Sequence, residues 1–329
     1  MQTTDHVLMI RPVRFSSNPE TAFSNAFQLD DLAPDAAQAA AQKEFDAYVQ
    51  ALCDAGVGVL VVDDSPEPHT PDSIFPNNWV SFHRDGRVIL YPMEAPNRRL
   101  ERRAAVLTEV GKKFAIRETV DLSRFEAEGK FLESTGSMVL DHDNRQAYAC
   151  HSSRSHPDVM KAFEAETGYR AVWFHAADRF GKPIYHTNVM MCVGRKLAVA
   201  CMEAIAGPAE RALLRQSLHA TGKQVIDITL AQMESFAGNM LELRSVRGNP
   251  VFVMSRRAWG SLTTAQQRLI ASYAEPVPAP IDTIERLGGG SARCMLAEIF
   301  LPPRAAKQAD CEALAACGNH ASASQDHCP

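Results

Sequence analysis

The stretch Trp79-Val-Ser-Phe-His-Arg-Asp-Gly-Arg-Val-Ile-Leu-Tyr91 decides the fold. Two apolar runs, Trp79–Phe82 and Val88–Tyr91, flank Arg84-Asp-Gly-Arg87. Asp-Gly between apolar runs predicts a β-hairpin, because glycine takes the positive φ that a tight turn needs. A helix is expected next, near Arg98–Lys112, and then a strand near Phe114–Val120. The same phrase of hairpin, helix and strand recurs downstream as Ser137–Leu140, Ala147–Cys150, Pro157–Thr167 and Arg170–Phe174. It returns as Thr187–Val193, Leu197–Met202, Pro208–Thr221 and Gln224–Ile228. A further copy reads Met240–Arg244, Pro250–Met254, Thr263–Ala274 and Val277–Ile281, followed by an apolar segment Met295–Phe300. Upstream stand a strand at Val7–Ile10, an Ala-rich helix near Ala36–Ala55 and a strand at Val57–Val62. A period of roughly 50–60 residues marks a closed or stacked repeat architecture, in which each unit buries its apolar face against its neighbours.

Composition is consistent with this. The chain has 329 residues, 46% apolar and 22% charged, close to the globular average, which excludes collagen-like, disordered and membrane classes. The net charge of −5 carries no basic stripe, so no nucleic-acid partner is expected and a small molecule is favoured. Val7–Ile10 is too short for a signal peptide, and no run approaches the ~20 apolar residues of a membrane span. Eight Cys, most in apolar segments, read as reduced thiols and predict a cytoplasmic location. Residues 1–303 are expected to form a single domain, with 304–329 a tail of different character. The tail holds Cys311, Cys317, Cys328, His320 and His327 without paired C-x-x-C knuckles, so no metal site is assigned.

The chemically capable residues collect just before the first strand of successive units. These segments are Pro71-Asp-Ser-Ile-Phe-Pro-Asn-Asn78, Phe131-Leu-Glu-Ser-Thr-Gly136, Tyr185-His-Thr-Asn188, Phe236-Ala-Gly-Asn239 and Leu287-Gly-Gly-Gly-Ser-Ala-Arg-Cys294. Units arranged about an axis would converge these positions on one spot. Cys294 is the nucleophile candidate, since it follows a Gly-rich loop and its neighbour Arg293 would favour thiolate. His186 is the candidate acid and base, and Glu133 a carboxylate able to orient an imidazolium.

With these residues in hand, the chain resembles the pentein superfamily of guanidine-modifying enzymes, which includes arginine deiminase, dimethylarginine dimethylaminohydrolase and the amidinotransferases. The resemblance covers about residues 5–302. Pro71-Asp-Ser-Ile-Phe-Pro-Asn-Asn-Trp79 is similar to the Pro-Asp-Ser-Val-Phe-x-x-Asp segment of the dimethylarginine hydrolases, and Pro92-Met-Glu-Ala-Pro-Asn-Arg-Arg99 to their Pro-Gly-Ala-Pro-x-Arg-Arg. Phe-Pro-Asn-Asn-Trp-Val-Ser-Phe-His and Phe-Ala-Gly-Asn-Met-Leu look most like the citrulline ureidase branch. The resemblance implies an α/β fold, a five-bladed pseudo-symmetric α/β propeller of ββαβ units, that works without metal or organic cofactor. It further implies Cys294 as nucleophile, His186 as general acid/base and Glu133 as its orienting carboxylate. Asp72 falls where the family holds the substrate α-amine, and Arg98 or Arg99 together with Arg154 where it holds the α-carboxylate.

Two departures bear on the substrate. Guanidine-processing members place carboxylates where this chain has Asn78 and Asn188. Amides leave a buried guanidinium poorly compensated, whereas an amide both donates to a ureido oxygen and accepts from a ureido N–H. Hydrolysis of citrulline's ureido group is therefore expected, through a thioester on Cys294, giving ornithine, ammonia and carbon dioxide. The rival readings are a guanidine hydrolase or amidinotransferase and, from another class, a non-catalytic pentein binding module. The expected partner is a small amino acid, with no nucleic acid or membrane, and a homodimer is the default assembly.

Overall fold

The computed structural model describes residues 1–22, 28–29 and 31–304. Its strands are β1 (His6–Arg11) and β2 (Gly58–Asp63), β3 (Val80–Phe82), β4 (Arg87–Leu90) and β5 (Glu118–Asp121), β6 (Met138–Asp141), β7 (Gln146–Cys150) and β8 (Arg170–Phe174). Then follow β9 (Met191–Val193), β10 (Leu197–Ala200) and β11 (Gln224–Asp227), β12 (Leu241–Arg244), β13 (Pro250–Ser255) and β14 (Glu275–Ala279), and finally β15 (Ala297–Glu298). They form five three-stranded sheets. In four of them, an antiparallel hairpin is joined through a helix to a parallel outer strand, as in β3-β4-β5 with Ser81 opposite Ile89 and Val88 beside Thr119. The first unit has no hairpin strand of its own. Its place is taken by β15, which runs antiparallel to β1 with Val7 opposite Glu298, so the last strand among the described residues closes the ring. The five matching sheets and the crossover helices make this a pentein-type α/β propeller.

Helix Pro34–Asp54 shows how a crossover is specified. Pro34 sets the first turn, Ala37, Ala41, Phe45, Tyr48 and Leu52 recur at helical spacing and are buried, and Gly56 at φ 78° lets the chain turn back into β2. Burial of each large side chain on that face stabilises by about 1.5–3 kcal/mol. The face packs into the cluster that holds Leu287, Ala292 and Cys294, and the Tyr48 hydroxyl donates to the Ala292 carbonyl at 3.3 Å. A remote helix thus braces the turn that presents the thiol.

Several element boundaries differ from the sequence expectation. The helix expected over Arg98–Lys112 is a single turn, Pro96–Arg99, followed by helix Ala104–Lys113. The break lets Arg98, Arg102 and Arg103 reach separate partners, Glu101, Glu126 and Asp64. The helix expected over Thr263–Ala274 is Thr264–Ala271, preceded by Arg256–Ser261, each capped by its own Ser255 or Thr263 hydroxyl. The strand expected over Thr187–Val193 opens instead as a one-turn helix, Thr187–Met190, and matching turns occupy Pro76–Asn78 and Ser134–Ser137. Met295–Phe300 shortens to β15 and belongs to the first unit rather than the last. The Cys and His residues of the tail lie outside the described residues. No described helix is long and apolar enough to cross a membrane.

Candidate active site

The short turns before the first strands carry the site. Because every unit repeats one geometry, the segments around Asn78, Glu133, His186, Asn239 and Cys294 meet at the ring's centre. A narrow pocket of about 20 Å³ opens there, lined by Asp72, Asn78, Arg98, Arg154, Tyr185, His186 and Cys294 among others, with Gly288–Gly290 as one wall. Two glycines permit the approach. A Cβ on Gly136 would lie 2.3 Å from Asn78 Nδ2 and 3.0 Å from His186 Nδ1, and one on Gly290 would lie 2.8 Å from the Phe75 ring. Ser134, beside Glu133, takes φ 39° and Phe236, near Asn239, φ 62°; such backbone strain gathers at functional sites.

Glu133 is fully buried, and its Oε2 accepts from His186 Nε2 at 2.7 Å and from Arg154 Nη1 at 3.3 Å, while Oε1 accepts from the Glu94 N–H at 3.0 Å. Burial alone would raise this carboxyl, but Arg154, His186 and Arg98 hold it well below the usual carboxylate range. An ionised Glu133 only accepts, so the imidazole carries its proton on Nε2 and leaves Nδ1 as the basic atom. Burial pushes His186 down to about 4, against the opposing pull of Glu133, so the ring is neutral at physiological pH.

Arg98 and Arg99 separate. Arg99 is about a third exposed and donates to the Met93 and Glu94 carbonyls, away from the pocket. Arg98 is buried, but its fork is committed: Nε and Nη2 clasp Glu101 at 2.8 and 3.0 Å, and Nη1 donates to Asn78 Oδ1 at 2.9 Å. Arg98 Nε also lies 3.7 Å from Asp72. Of the two residues expected to grip a carboxylate, Arg98 lines the pocket, where it orients Asn78 and pairs with Glu101, whereas Arg99 is not among the lining residues. Arg154 lines the pocket with its guanidinium over the Tyr185 ring at 5.1 Å.

The bond from Arg98 also fixes which way Asn78 points. Its oxygen is used, so its Nδ2 is a buried donor with no protein partner. Asn188 donates through Nδ2 to Cys294 Sγ at 3.5 Å and keeps Oδ1 as an unpartnered acceptor. Asp72 takes Asn18 Nδ2 on one oxygen at 2.7 Å and leaves Oδ1 unpartnered. Buried polar groups are almost always satisfied, so the orphans on Asp72 and Asn78, which line the pocket, and on Asn188, which touches Cys294 beside it, outline a polar ligand in negative.

The surroundings of the thiol correct an expectation. The Arg293 guanidinium turns away from the sulfur and binds the Leu296 carbonyl and Glu298. The nearest donor to Sγ is instead Asn239 Nδ2 at 3.2 Å. Asn239 stood in a unit-start segment of the sequence, and its place in the repeat was the one signal that could have marked it.

Comparison with known proteins agrees with this geometry. The family model described as N,N dimethylarginine dimethylhydrolase, eukaryotic, matches residues 11–301. No curated protein matches in sequence. Among solved structures, the N-terminal domain of ArgZ, an arginine dihydrolase from the ornithine–ammonia cycle in cyanobacteria, was determined as a cysteine-to-serine mutant bound to substrate. It superposes with a TM-score of 0.70 at 14% identity, covering 90% of this chain and 98% of that one. A cysteine-to-alanine mutant of AgrE with L-arginine gives 0.69 at 17% identity, with 92% of this chain and 41% of that one covered. DDAH from Pseudomonas aeruginosa, a cysteine-to-serine mutant complexed with citrulline, gives 0.61 at 14%, with 91% and 100% covered. These likenesses establish the fold. With a family match that spans all five units and a central pocket facing a cysteine, the chain belongs to the dimethylarginine dimethylhydrolase family of the pentein superfamily, the guanidine-modifying hydrolases.

Proposed function

We propose that this protein hydrolyses the ureido C–N bond of citrulline, giving ornithine, ammonia and carbon dioxide. The observation that carries this reading is the set of unpartnered atoms in the site: a donor on Asn78, an acceptor on Asn188 and a carboxylate oxygen on Asp72. A ureido group offers an acceptor oxygen to Asn78 Nδ2 and N–H donors to Asn188 Oδ1, and the substrate's ammonium suits Asp72. A guanidinium has only donors and would set N–H against the Asn78 N–H. The complex of the Pseudomonas aeruginosa enzyme with citrulline supports the idea that a pocket of this kind accommodates a ureido amino acid.

In this reading Cys294 Sγ attacks the ureido carbon as its proton passes to His186 Nδ1, and the carbonyl oxygen gains charge that Asn78 stabilises. Glu133 steadies the imidazolium, which returns the proton to the departing δ-amine of ornithine. The C–N bond breaks and an S-carbamoyl cysteine remains. Water, deprotonated by His186, cleaves the C–S bond to give carbamic acid, which decomposes to ammonia and carbon dioxide. Arg154 faces the substrate carboxylate, and preorganised donors of this sort supply the largest share of rate enhancement.

Guanidine hydrolysis is the second reading, favoured by a local surplus of carboxylates: Asp72, Glu101 and Glu133 against Arg98 and Arg154. Those charges are committed, however. Glu101 is spent on Arg98, and Glu133 on His186, Arg154 and a backbone N–H, so Asp72 Oδ1 is the carboxylate oxygen left over among the described residues of the pocket. Ornithine and ammonia release from citrulline and from arginine separate the two. Citrulline turnover is expected, and arginine turnover without it would overturn the proposal.

A further inference from the structure

Asn239 is the closest side-chain donor to the Cys294 sulfur. It is buried, it comes from the start of the β12-β13-β14 unit, which packs against the unit that closes the ring, and it holds three bonds at once. Its Oδ1 accepts from the Arg293 N–H at 3.0 Å, while its Nδ2 donates to the Asn188 carbonyl at 3.1 Å and to Cys294 Sγ at 3.2 Å. A flipped amide would set oxygen against the Asn188 carbonyl and N–H against the Arg293 N–H, so both contacts lock the donor on the sulfur. Asn188 Nδ2 adds a second donor at 3.5 Å. In the thiol form the S–H has Asn239 Oδ1 at 3.7 Å as an alternative acceptor. The neighbouring cation, Arg293, is directed elsewhere.

We propose that Asn239 is a catalytic residue that, with Asn188, forms a two-amide cradle steadying the negative charge that develops on the Cys294 sulfur as its proton leaves for His186. Neutral donors do here what an adjacent cation does in other reactive cysteines, and because they carry no charge they do not compete with the substrate ammonium for Asp72. The same amide ties the Arg293–Cys294 peptide in place, so donor and nucleophile move together. This deepens the reading of Cys294 as nucleophile, and its test needs no substrate.

The experiment is alkylation of Cys294 by iodoacetamide as a function of pH, read by mass spectrometry of the Cys294 peptide. Asn239→Asp keeps an acceptor for the Arg293 N–H but replaces the donor with an anion facing the sulfur. It is expected to slow Cys294 alkylation at pH 7 by about tenfold or more and to move the alkylation midpoint up by about one pH unit or more. Asn239→Ala, which removes the donor without adding charge, is expected to shift it in the same direction by less, and it stands in if circular dichroism shows that the Asp variant fails to fold. A purely structural Asn239 would lower the melting temperature and leave the midpoint alone. A wild-type alkylation profile in a folded Asn239→Asp or Asn239→Ala protein overturns the cradle. If the profile shifts as expected while citrulline is not hydrolysed, the cradle stands and the substrate assignment falls.

Discussion

At the scale of single residues, the proposed preference for citrulline rests on Asn78, whose direction is imposed. Arg98 Nη1 occupies its oxygen, so the pocket receives Nδ2. Asn78→Asp replaces that donor with an acceptor while keeping the Arg98 contact. Citrulline turnover is expected to fall by about 10²–10³-fold, the usual cost of losing a donor to a developing oxyanion. Arginine is expected to bind better than in the parent, and ornithine release from each substrate checks both. An unchanged preference would show that Asn78 does not read the reacting group. His186 gives a pH prediction. Burial lowers it to about 4, and as a base it works when unprotonated, so kcat/KM should hold down to about pH 5 and fall only as pH drops through about 4. Glu133 raises His186, so Glu133→Gln should move that limb further down and reduce kcat by about 10²-fold or more. A limb near 6.5 in the parent would contradict this arrangement. The trio of Cys294, His186 and Glu133 was legible in the sequence because each stands at the start of a different unit. The spent fork of Arg98 and the aim of Asn239 were not, since an amide's direction is set by partners such as Arg293, 54 positions away.

At the scale of elements, the hairpins were readable because Asp-Gly and Gly-Arg turns separate apolar runs, whereas the one-turn helices before the first strands were not. Three or four residues cannot display a 3.6-residue period, so Thr187–Met190 reads as the beginning of its strand and Ser134–Gly136 as the loop before one. Those turns matter most, because they change the backbone direction and carry side chains to the centre. Gly136 in the Ser134–Ser137 turn tests this. A methyl group there would press on Asn78 Nδ2 and on His186 Nδ1. Gly136→Ala is therefore expected to lower kcat/KM by about 10²-fold, in line with a misplacement of about 1 Å, and to cost about 1–3 kcal/mol of stability. Steady-state kinetics with a urea titration check both effects. Parental activity would mean that the turn has slack.

At the scale of the whole molecule, the site exists only while the ring is closed. Asn78, Glu133, His186, Asn239 and Cys294 come from five different unit starts, and Cys294 stands three residues before β15, whose pairing with β1 completes the circle. Anything that loosens one joint should therefore remove activity and fold together. The joint between the third and fourth units offers a clean test. Lys223 Nζ lies 3.2 Å from Asp141 Oδ2, both nearly inaccessible, and donates to the Arg195 carbonyl at 3.2 Å. Neither residue lines the pocket. Lys223→Met strips the charge from one side and leaves Asp141 buried with the backbone N–H and side-chain amide of Asn144. Breaking a buried pair from one side costs about 3–5 kcal/mol, because the remaining charge is uncompensated. The urea midpoint of Lys223→Met should fall accordingly, and the midpoints read by circular dichroism and by residual turnover should fall together. In dilute buffer, where the variant is still folded, turnover per molecule should match the parent. Turnover lost well before the circular dichroism signal would show that the pocket opens separately from the ring, and that closure by β15 is not what holds Cys294 among the other four unit starts.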